Sequence, residues 1–299
     1  MFTNAKPFLL YALSSIHAGS GSEIGIVDLP VQREKHTGFP KIESSSLKGS
    51  IRSAFAEAVE ASGDPDNKKK LENVFGSDPD NSDTQAGAIA LADARIILFP
   101  VKSISGVFAW VTCPLVLERF NQELFMYSDN PTTLPVPEEN VVSSNVLIVG
   151  EGKIVLEEYT FPVKIDKEAN ELAERLQAWI FDGFKVNLKD RLVVLSNDDF
   201  SDFVKLSTEI NARIKINPET GTVDKEKGAL WYEENVPPET VFYSFLFTGK
   251  VRKNKDNNIL LNSEDDVLAF MKNSELFPGV FQLGGNSTLG KGLLRHIWI

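Results

Sequence analysis

Carboxylates, imidazoles and cations set among glycines are groups that bind phosphate and move protons, and this sequence gathers them in four places. The first follows an apolar run at residues 8–16. His17, Glu23, Asp28, Arg33, Glu34, Lys35 and His36 lie there in a glycine-containing stretch. Loops are polar in general, but this density of ionisable groups suggests a site. Asp28 stands between Ile26-Val27 and Leu29-Pro30. A carboxylate in so apolar a setting needs a cation, a metal or a backbone donor beside it. Taken alone, Asp28 reads as a structural cap and His17 as a hydrogen-bonded structural residue.

The second place is SSSLKGSIR, residues 44–52, at the start of a helix. Lys48 and Arg52 are one turn apart and share a face. The helix macrodipole disfavours cations there, and a bound phosphate would offset that cost. Two solvated basic side chains are the plain alternative. The third place is GNSTLGK, residues 285–291, which satisfies the first seven positions of a P-loop, but Gly292 stands where Ser or Thr is required. Too few residues follow it for the helix and strands of a nucleotide-binding domain, so ATP or GTP binding is not expected. What remains is a glycine loop whose N–H groups and Lys291 meet an RNA backbone, or a turn between two strands. The fourth is ALWYEE, residues 229–234. Strand alternation puts Trp231 and Glu233 on one face and Tyr232 and Glu234 on the other. Such a strand could stack bases and serve a metal, or be an ordinary edge strand.

Other chemistries are disfavoured. A single cysteine, Cys113, allows neither an intrachain disulfide nor a zinc-finger cluster. His17, His36 and His296 lack zincin spacing, and GxSxG and HExxH are absent. Any metal would be a hard ion held by carboxylates and phosphates. The net charge of −11 argues against a non-specific nucleic-acid binder unless basic residues concentrate on one face. No stretch approaches the ~20 apolar residues that span a bilayer. The short apolar amino-terminal segment reads as a first strand rather than a signal sequence, with a cytoplasmic location as the default.

These residues need a scaffold, and the periodicity supplies one. Strands are expected at 8–16, 89–101, 106–112, 191–195, 213–216, 229–234 and 241–249. A hairpin is expected from 146–149 and 153–163 around the sequence GEG. Helices are expected from Ser44 or Ser45 to 62, from there to Gly76, from Pro114 to 125, and over 167–181, 198–210 and 264–273. Strands and helices interleave without the rhythm of a doubly wound sheet, which suits an α+β fold with an antiparallel sheet and long insertions.

Long blocks of the sequence resemble one family. GSGSEIGIVDLPVQREKHTGFPKI, SLKGSIR, AGAIALADARIILFPVKSISGVFAWVTCPLVLERF, KLSTEINARIKINPETGTV, ALWYEE and QLGGNSTLGKG are similar to the backbone RAMP subunit of type III-B (Cmr) CRISPR effectors, nearly end to end. The variable stretches, about 62–85, 121–145 and 250–275, fall on loops and surface helices. The resemblance implies one RAMP domain over 1–299: an RRM-like (ferredoxin-like) antiparallel core with large insertions and a thumb β-hairpin within 212–238. It implies copies stacked as a helical filament on CRISPR guide RNA beside other RAMP subunits of the Cmr complex. Complementary single-stranded target RNA would be cut at regular intervals by a divalent-metal-dependent endoribonuclease site. Carried onto this chain, the catalytic and metal-holding carboxylate is Asp28, with Mg²⁺ or Mn²⁺, and His17 and Glu233 support it. Ser46, Lys48, Arg52, Gly284, Gly285, Gly290 and Lys291 become guide contacts. Two rival readings keep the family and change the role: a guide-binding subunit that does not cut, or a stand-alone CRISPR RNA processing nuclease.

Overall fold

The run FLLYA at residues 8–12 offers no polar face, so a strand there must be covered on both sides, and all five residues are buried. The computed structural model describes residues 4–22, 25–77, 85–128, 131–216, 219–223, 230–252 and 259–299. In chain order its elements begin β1 (Asn4–Ala12), β2 (Lys41–Ile42), α1 (Ser44–Ser62), α2 (Pro65–Phe75), β3 (Ile89–Leu91), β4 (Ala94–Lys102), β5 (Phe108–Thr112) and α3 (Pro114–Tyr127). There follow β6 (Val141–Val142), β7 (Lys153–Leu156), β8 (Tyr159–Pro162), β9 (Lys164–Ile165), α4 (Lys167–Phe181), β10 (Leu192–Val194) and α5 (Asn197–Leu206). The last third holds β11 (Glu209–Ile214), β12 (Leu230–Asn235), β13 (Val241–Thr248), α6 (Glu264–Met271), β14 (Val280–Gln282), a 3₁₀ turn (Ser287–Leu289) and β15 (Leu293–Trp298).

The main sheet runs β14-β15-β1-β13-β4-β5-β10-β6-β9, with β2 on β4 and β3 on β13 at its margins. Within it β15-β1-β13-β4 are joined antiparallel, with α1 between β1 and β4 in the chain and α6 between β13 and β15. Past β5 the sheet becomes mixed, because β10 lies parallel to β5 and β9 parallel to β6. The antiparallel sheet expected from the sequence is therefore part of a larger mixed one. The long passage through α3 and the following segment is the kind of crossover that parallel pairing requires.

Helix packing explains the burial. Leu47, Ile51, Phe55 and Val59 form the buried stripe of α1 at helical spacing. Phe55 stacks on Phe270 of α6 and on Phe277, at centroid distances of 5.3 and 5.0 Å. On β13, Tyr243 and Phe245 meet Phe120 and Tyr127 of α3 edge-on. Two tight points correct the sequence reading. Residues 89–101 are not one strand, since Ala92 and Asp93 break it into β3 and β4. Residues 153–163 fold back on themselves as β7 and β8, because Glu157 takes a positive φ of 50° and turns the chain. Likewise the helix expected over 198–210 stops at Leu206, and Glu209 already begins β11. Among the described residues no helix is long and apolar enough to cross a membrane.

Candidate active site

Two of the chemically promising segments are hydrogen-bonded to the same strand, β12. One edge of β12 pairs with β11, from Glu209 opposite Asn235 to Ile214 opposite Leu230. The other edge takes the loop that follows β1. Ile16 pairs with Val236, and Leu29 pairs with Glu233. The backbone N–H groups of Asp28 and Leu29 both donate to the Tyr232 carbonyl, at 3.1 Å each. In return the Tyr232 N–H donates to Asp28 Oδ2 at 2.7 Å. Asp28 is thus held by the backbone donor that its apolar neighbourhood demanded, and Oδ1 has no partner among the described residues.

His17 reaches the same strand two residues further on. Its Nδ1 lies 2.7 Å from the Glu234 carbonyl, which can only accept, so Nδ1 carries the proton. That fixes Nε2 as the nitrogen free to exchange a proton. Strand alternation turns Glu233 and Glu234 to opposite faces. Glu234 is buried and accepts from Arg33, from Thr208 Oγ1 at 2.8 Å and from the Val31 N–H at 2.9 Å. It ties the loop, the α5–β11 connection and the β11–β12 hairpin together.

Glu233 is 4% exposed and faces the glycine loop between β14 and β15. Its Oε1 accepts from Asn286 Nδ2 at 2.8 Å and Asn235 Nδ2 at 3.3 Å. Arg213 and Lys291 approach the same oxygen at 3.4 and 3.6 Å. Burial alone would raise its pKa. The two amide hydrogen bonds, with the nearby His17 and Arg213, outweigh that and hold the carboxyl below its ordinary value. Lys291, expected to face RNA, is turned inward, with its side chain 16% exposed. Gly284, Gly285 and Gly290 are exposed at the rim. The loop joins two antiparallel strands, as one of its two sequence readings expected.

The α1 residues lie apart from Asp28. Lys48 donates to the Ile89 carbonyl at 3.2 Å, and burial, then the charge of Arg52, lowers its pKa. Ser46 accepts from Gln32 at 3.3 Å. The first amide of α1, Ser44 N–H, is already taken by Asp93 at 2.9 Å, so this helix end is less open to phosphate than its sequence suggests. A groove runs between α1 and the β14 end of the glycine loop, lined by Gly49, Ser53, Glu57, Gln282 and Gly284 among others. Glu23 lies outside the described residues.

Among the described residues no group of three or more His, Cys, Asp or Glu side chains could hold a metal ion. Glu234 is occupied on both oxygens and Glu233 on Oε1, so Asp28 Oδ1 and Glu233 Oε2 are the carboxylate oxygens here without a partner among the described residues. Mg²⁺ is commonly held by one or two carboxylates plus substrate phosphates and water. Sequence reasoning missed Asn286, Arg213 and Asn235 as partners of Glu233. The signal for Asn286 was its place beside two glycines, since Asn tolerates the left-handed backbone it adopts there, at φ 63°.

The loop after β1 thus holds a carboxylate and an imidazole against one strand, next to a glycine loop. The chain belongs to the RAMP superfamily, whose profile matches residues 9–295, and within it to the Cmr4 proteins of type III-B CRISPR systems. It is 40% identical over 292 residues to the CRISPR system Cmr endoribonuclease Cmr4 of Pyrococcus furiosus, covering 96% of this chain and 92% of that protein. It is 27% identical to the Cmr4 subunit of Saccharolobus solfataricus, covering 100% and 97%. The crystal structure of oligomeric Cmr4 from Pyrococcus furiosus superposes with a TM-score of 0.72 at 30% identity, covering 99% of this chain and 98% of that one.

Proposed function

We propose that this chain is the repeated backbone subunit of a type III-B effector, holding CRISPR guide RNA and cutting complementary target RNA at regular intervals. The observation that carries the proposal is the attachment of Asp28 and His17 to one strand: Asp28 to the N–H of Tyr232, His17 to the carbonyl of Glu234. Both groups sit at the root of the β11–β12 hairpin, which we read as the thumb. Its tip falls largely outside the described residues. The antiparallel order β15-β1-β13-β4 supports reading that unit as the RRM-like palm. Membership among the Cmr4 proteins, one of which is named an endoribonuclease, supports the reaction.

RNA carries its own nucleophile, the 2′-hydroxyl, so the protein has only to splay the nucleotide in line and move protons. Asp28 Oδ1 accepts the 2′-hydroxyl proton, while Oδ2 stays on the Tyr232 N–H. His17 delivers a proton from Nε2 to the leaving oxygen, and the Glu234 carbonyl accepts from Nδ1 in both of its protonation states. Alternatively, Asp28 would hold a Mg²⁺ or Mn²⁺ ion, which would supply charge neutralisation at the scissile phosphate. Ser46, Lys48 and Arg52 with the exposed Gly284, Gly285 and Gly290 form the guide-backbone face. Lys291 contributes its charge from behind the loop. Guide pairing reads the sequence and the protein reads backbone and shape. Neighbouring copies and other RAMP subunits complete a cytoplasmic filament.

The test uses the assembled complex with guide RNA and an end-labelled complementary target. Evenly spaced products that need a divalent ion and vanish with Asp28→Ala, while guide and target stay bound, are expected. Equal cutting by Asp28→Ala would leave this chain a scaffold. Cutting of guide precursors by the chain alone would make it a processing nuclease.

A further inference from the structure

The glycine loop is fastened to the rest of the protein in two different ways. One is backbone: the Gly285 N–H donates to the His17 carbonyl at 2.9 Å, and the Gly292 N–H to the Ser15 carbonyl at 2.8 Å. The other is a polar latch on a single buried oxygen, Glu233 Oε1. Asn286 donates to it from the loop, and Lys291 lies 3.6 Å away from the loop's far side. Lys291 Nζ is itself buried and has no hydrogen-bond partner among the described residues, where Glu233 is the charge beside it.

The latch has a bearing on His17. The imidazole occupies a slot between two glycines. A Cβ at Gly19 would come within 2.8 Å of Nε2, and one at Gly285 within 3.2 Å of Cδ2. Gly19 belongs to the loop after β1, but Gly285 belongs to the latched loop and adjoins Asn286. One wall of the slot is therefore held both by the Gly285 N–H on the His17 carbonyl and by the grip of Asn286 and Lys291 on Glu233. The third constraint on the ring, Nδ1 on the Glu234 carbonyl, comes from the same strand as Glu233. A rigid strand thus holds the ring directly on one side and through two side chains on the other.

We propose that Asn286 and Lys291 are positioning residues that act through Glu233, latching the glycine loop onto β12 so that Gly285 keeps the His17 imidazole aligned. Lys291 serves as an internal counter-ion here rather than as a first contact for RNA. The inference deepens the cleavage reading and rests on it only for the activity arm of its test.

Asn286→Gly removes the amide without straining the backbone, because glycine accepts the left-handed conformation at this position. Lys291→Met keeps the stem and removes the charge. The first readout is the ring-nitrogen NMR spectrum of His17 in the isolated full-length chain, which is independent of activity. Wild type should show one tautomer, protonated at Nδ1, and either variant should convert it to an averaged pair of tautomers. A His17 spectrum unchanged in both variants overturns the latch. The second readout is target cutting in the assembled complex. Asn286→Gly should slow it about tenfold, the scale of one lost hydrogen bond to a charged group. In a His17→Ala background the same change should cost nothing further, since coupled residues do not add. Losses that multiply would show Asn286 working independently of His17 and overturn the proposal. A wild-type complex that binds target and does not cut removes the nuclease reading, and the His17 spectra still decide for or against the latch.

Discussion

Substituting Gly284 by alanine separates the packing of the glycine loop from its backbone conformation. Gly284 has φ +84°, and a Cβ there would fall onto the carbonyl oxygen of His17, far inside van der Waals contact. Gly290 in the same loop has φ +72° and nothing within 4 Å of where its Cβ would stand. Both variants incur the left-handed penalty of roughly 1–2 kcal/mol. Only Gly284→Ala must also push the backbone off His17, breaking the Gly285 N–H bond to the His17 carbonyl. Losing that bond and its neighbouring contacts adds about 1–2 kcal/mol. The expected totals are about 3 kcal/mol for Gly284→Ala and about 1.5 kcal/mol for Gly290→Ala. In a chain of this size each kcal/mol lowers Tm by roughly 2–4 °C, giving drops of about 6–12 and about 3–6 °C. Thermal unfolding followed by circular dichroism at one protein concentration measures both. Melting points for the two variants that agree to within about 2 °C would refute the close docking of the loop on His17.

Two further predictions concern buried charge. Glu34 is 6% exposed and receives Arg119 at 2.6 Å, Arg95 at 3.2 Å and Thr37 at 2.6 Å. Glu34→Ala should destabilise by about 3 kcal/mol, read as a lower urea midpoint, because it leaves Arg119 without its carboxylate and Arg95 with Glu123 alone. Burial works to raise the Glu34 pKa, but the hydrogen bonds from Thr37 and Arg119 and the nearby guanidinium charges prevail and lower it. Its contribution is therefore present above the unfolded value near pH 4.3 and is lost as pH falls through the lower folded value. Urea midpoints of Glu34→Gln should depend less on pH below about 4 than those of wild type. His296 acts in the same direction over a higher pH window, with burial alone as the cause. Stacked on Phe277 at 4.0 Å, it has a pKa pushed down by burial to about 4. Between pH about 6.5 and about 4 the unfolded chain binds a proton that the folded ring refuses, so stability falls as pH falls across that window. His296→Phe should flatten the dependence there, and an unchanged slope would exclude this histidine as its source.

Much of the scaffold was legible because single residues dictate it. Pro114 opens α3, Gly76 follows α2, and the Leu47, Ile51, Phe55, Val59 spacing sets both the length and the buried face of α1. The hairpin β7–β8 was not legible. Its turn rests on Glu157 at positive φ, and no glycine or asparagine marks the place. The limits of β11 were misread for a related reason. Ser207 to Ile210 continue a helical pattern, but pairing with β12 draws Glu209 and Ile210 into a strand, and tertiary pairing outweighs local propensity. At the candidate site, ionisable density pointed to the loop that pairs with β12, and the apolar flanks of Asp28 demanded a partner, which the Tyr232 N–H supplies. The identity of that partner, the Tyr232 N–H more than two hundred residues away, is a matter of register that spacing cannot reveal. Lys291 shows the converse. Its type and glycine neighbours indicate phosphate, whereas the fold places a carboxylate beside it.

The β11–β12 hairpin divides into two parts with different freedom to change during evolution. From Leu230 to Asn235 every residue is paired with β11, and Tyr232 and Glu234 supply the atoms that hold Asp28 and His17. A one-residue insertion or deletion within that root would exchange the faces of Glu233 and Glu234 and strip both groups of their supports. Changes in length between Ile214 and Leu230 leave that register intact. Drift between the two strands can therefore change the hairpin's length while its root keeps its register. On the proposed function, the place of the cut would then be set by a few peptide bonds at that root and be indifferent to the number of residues beyond them.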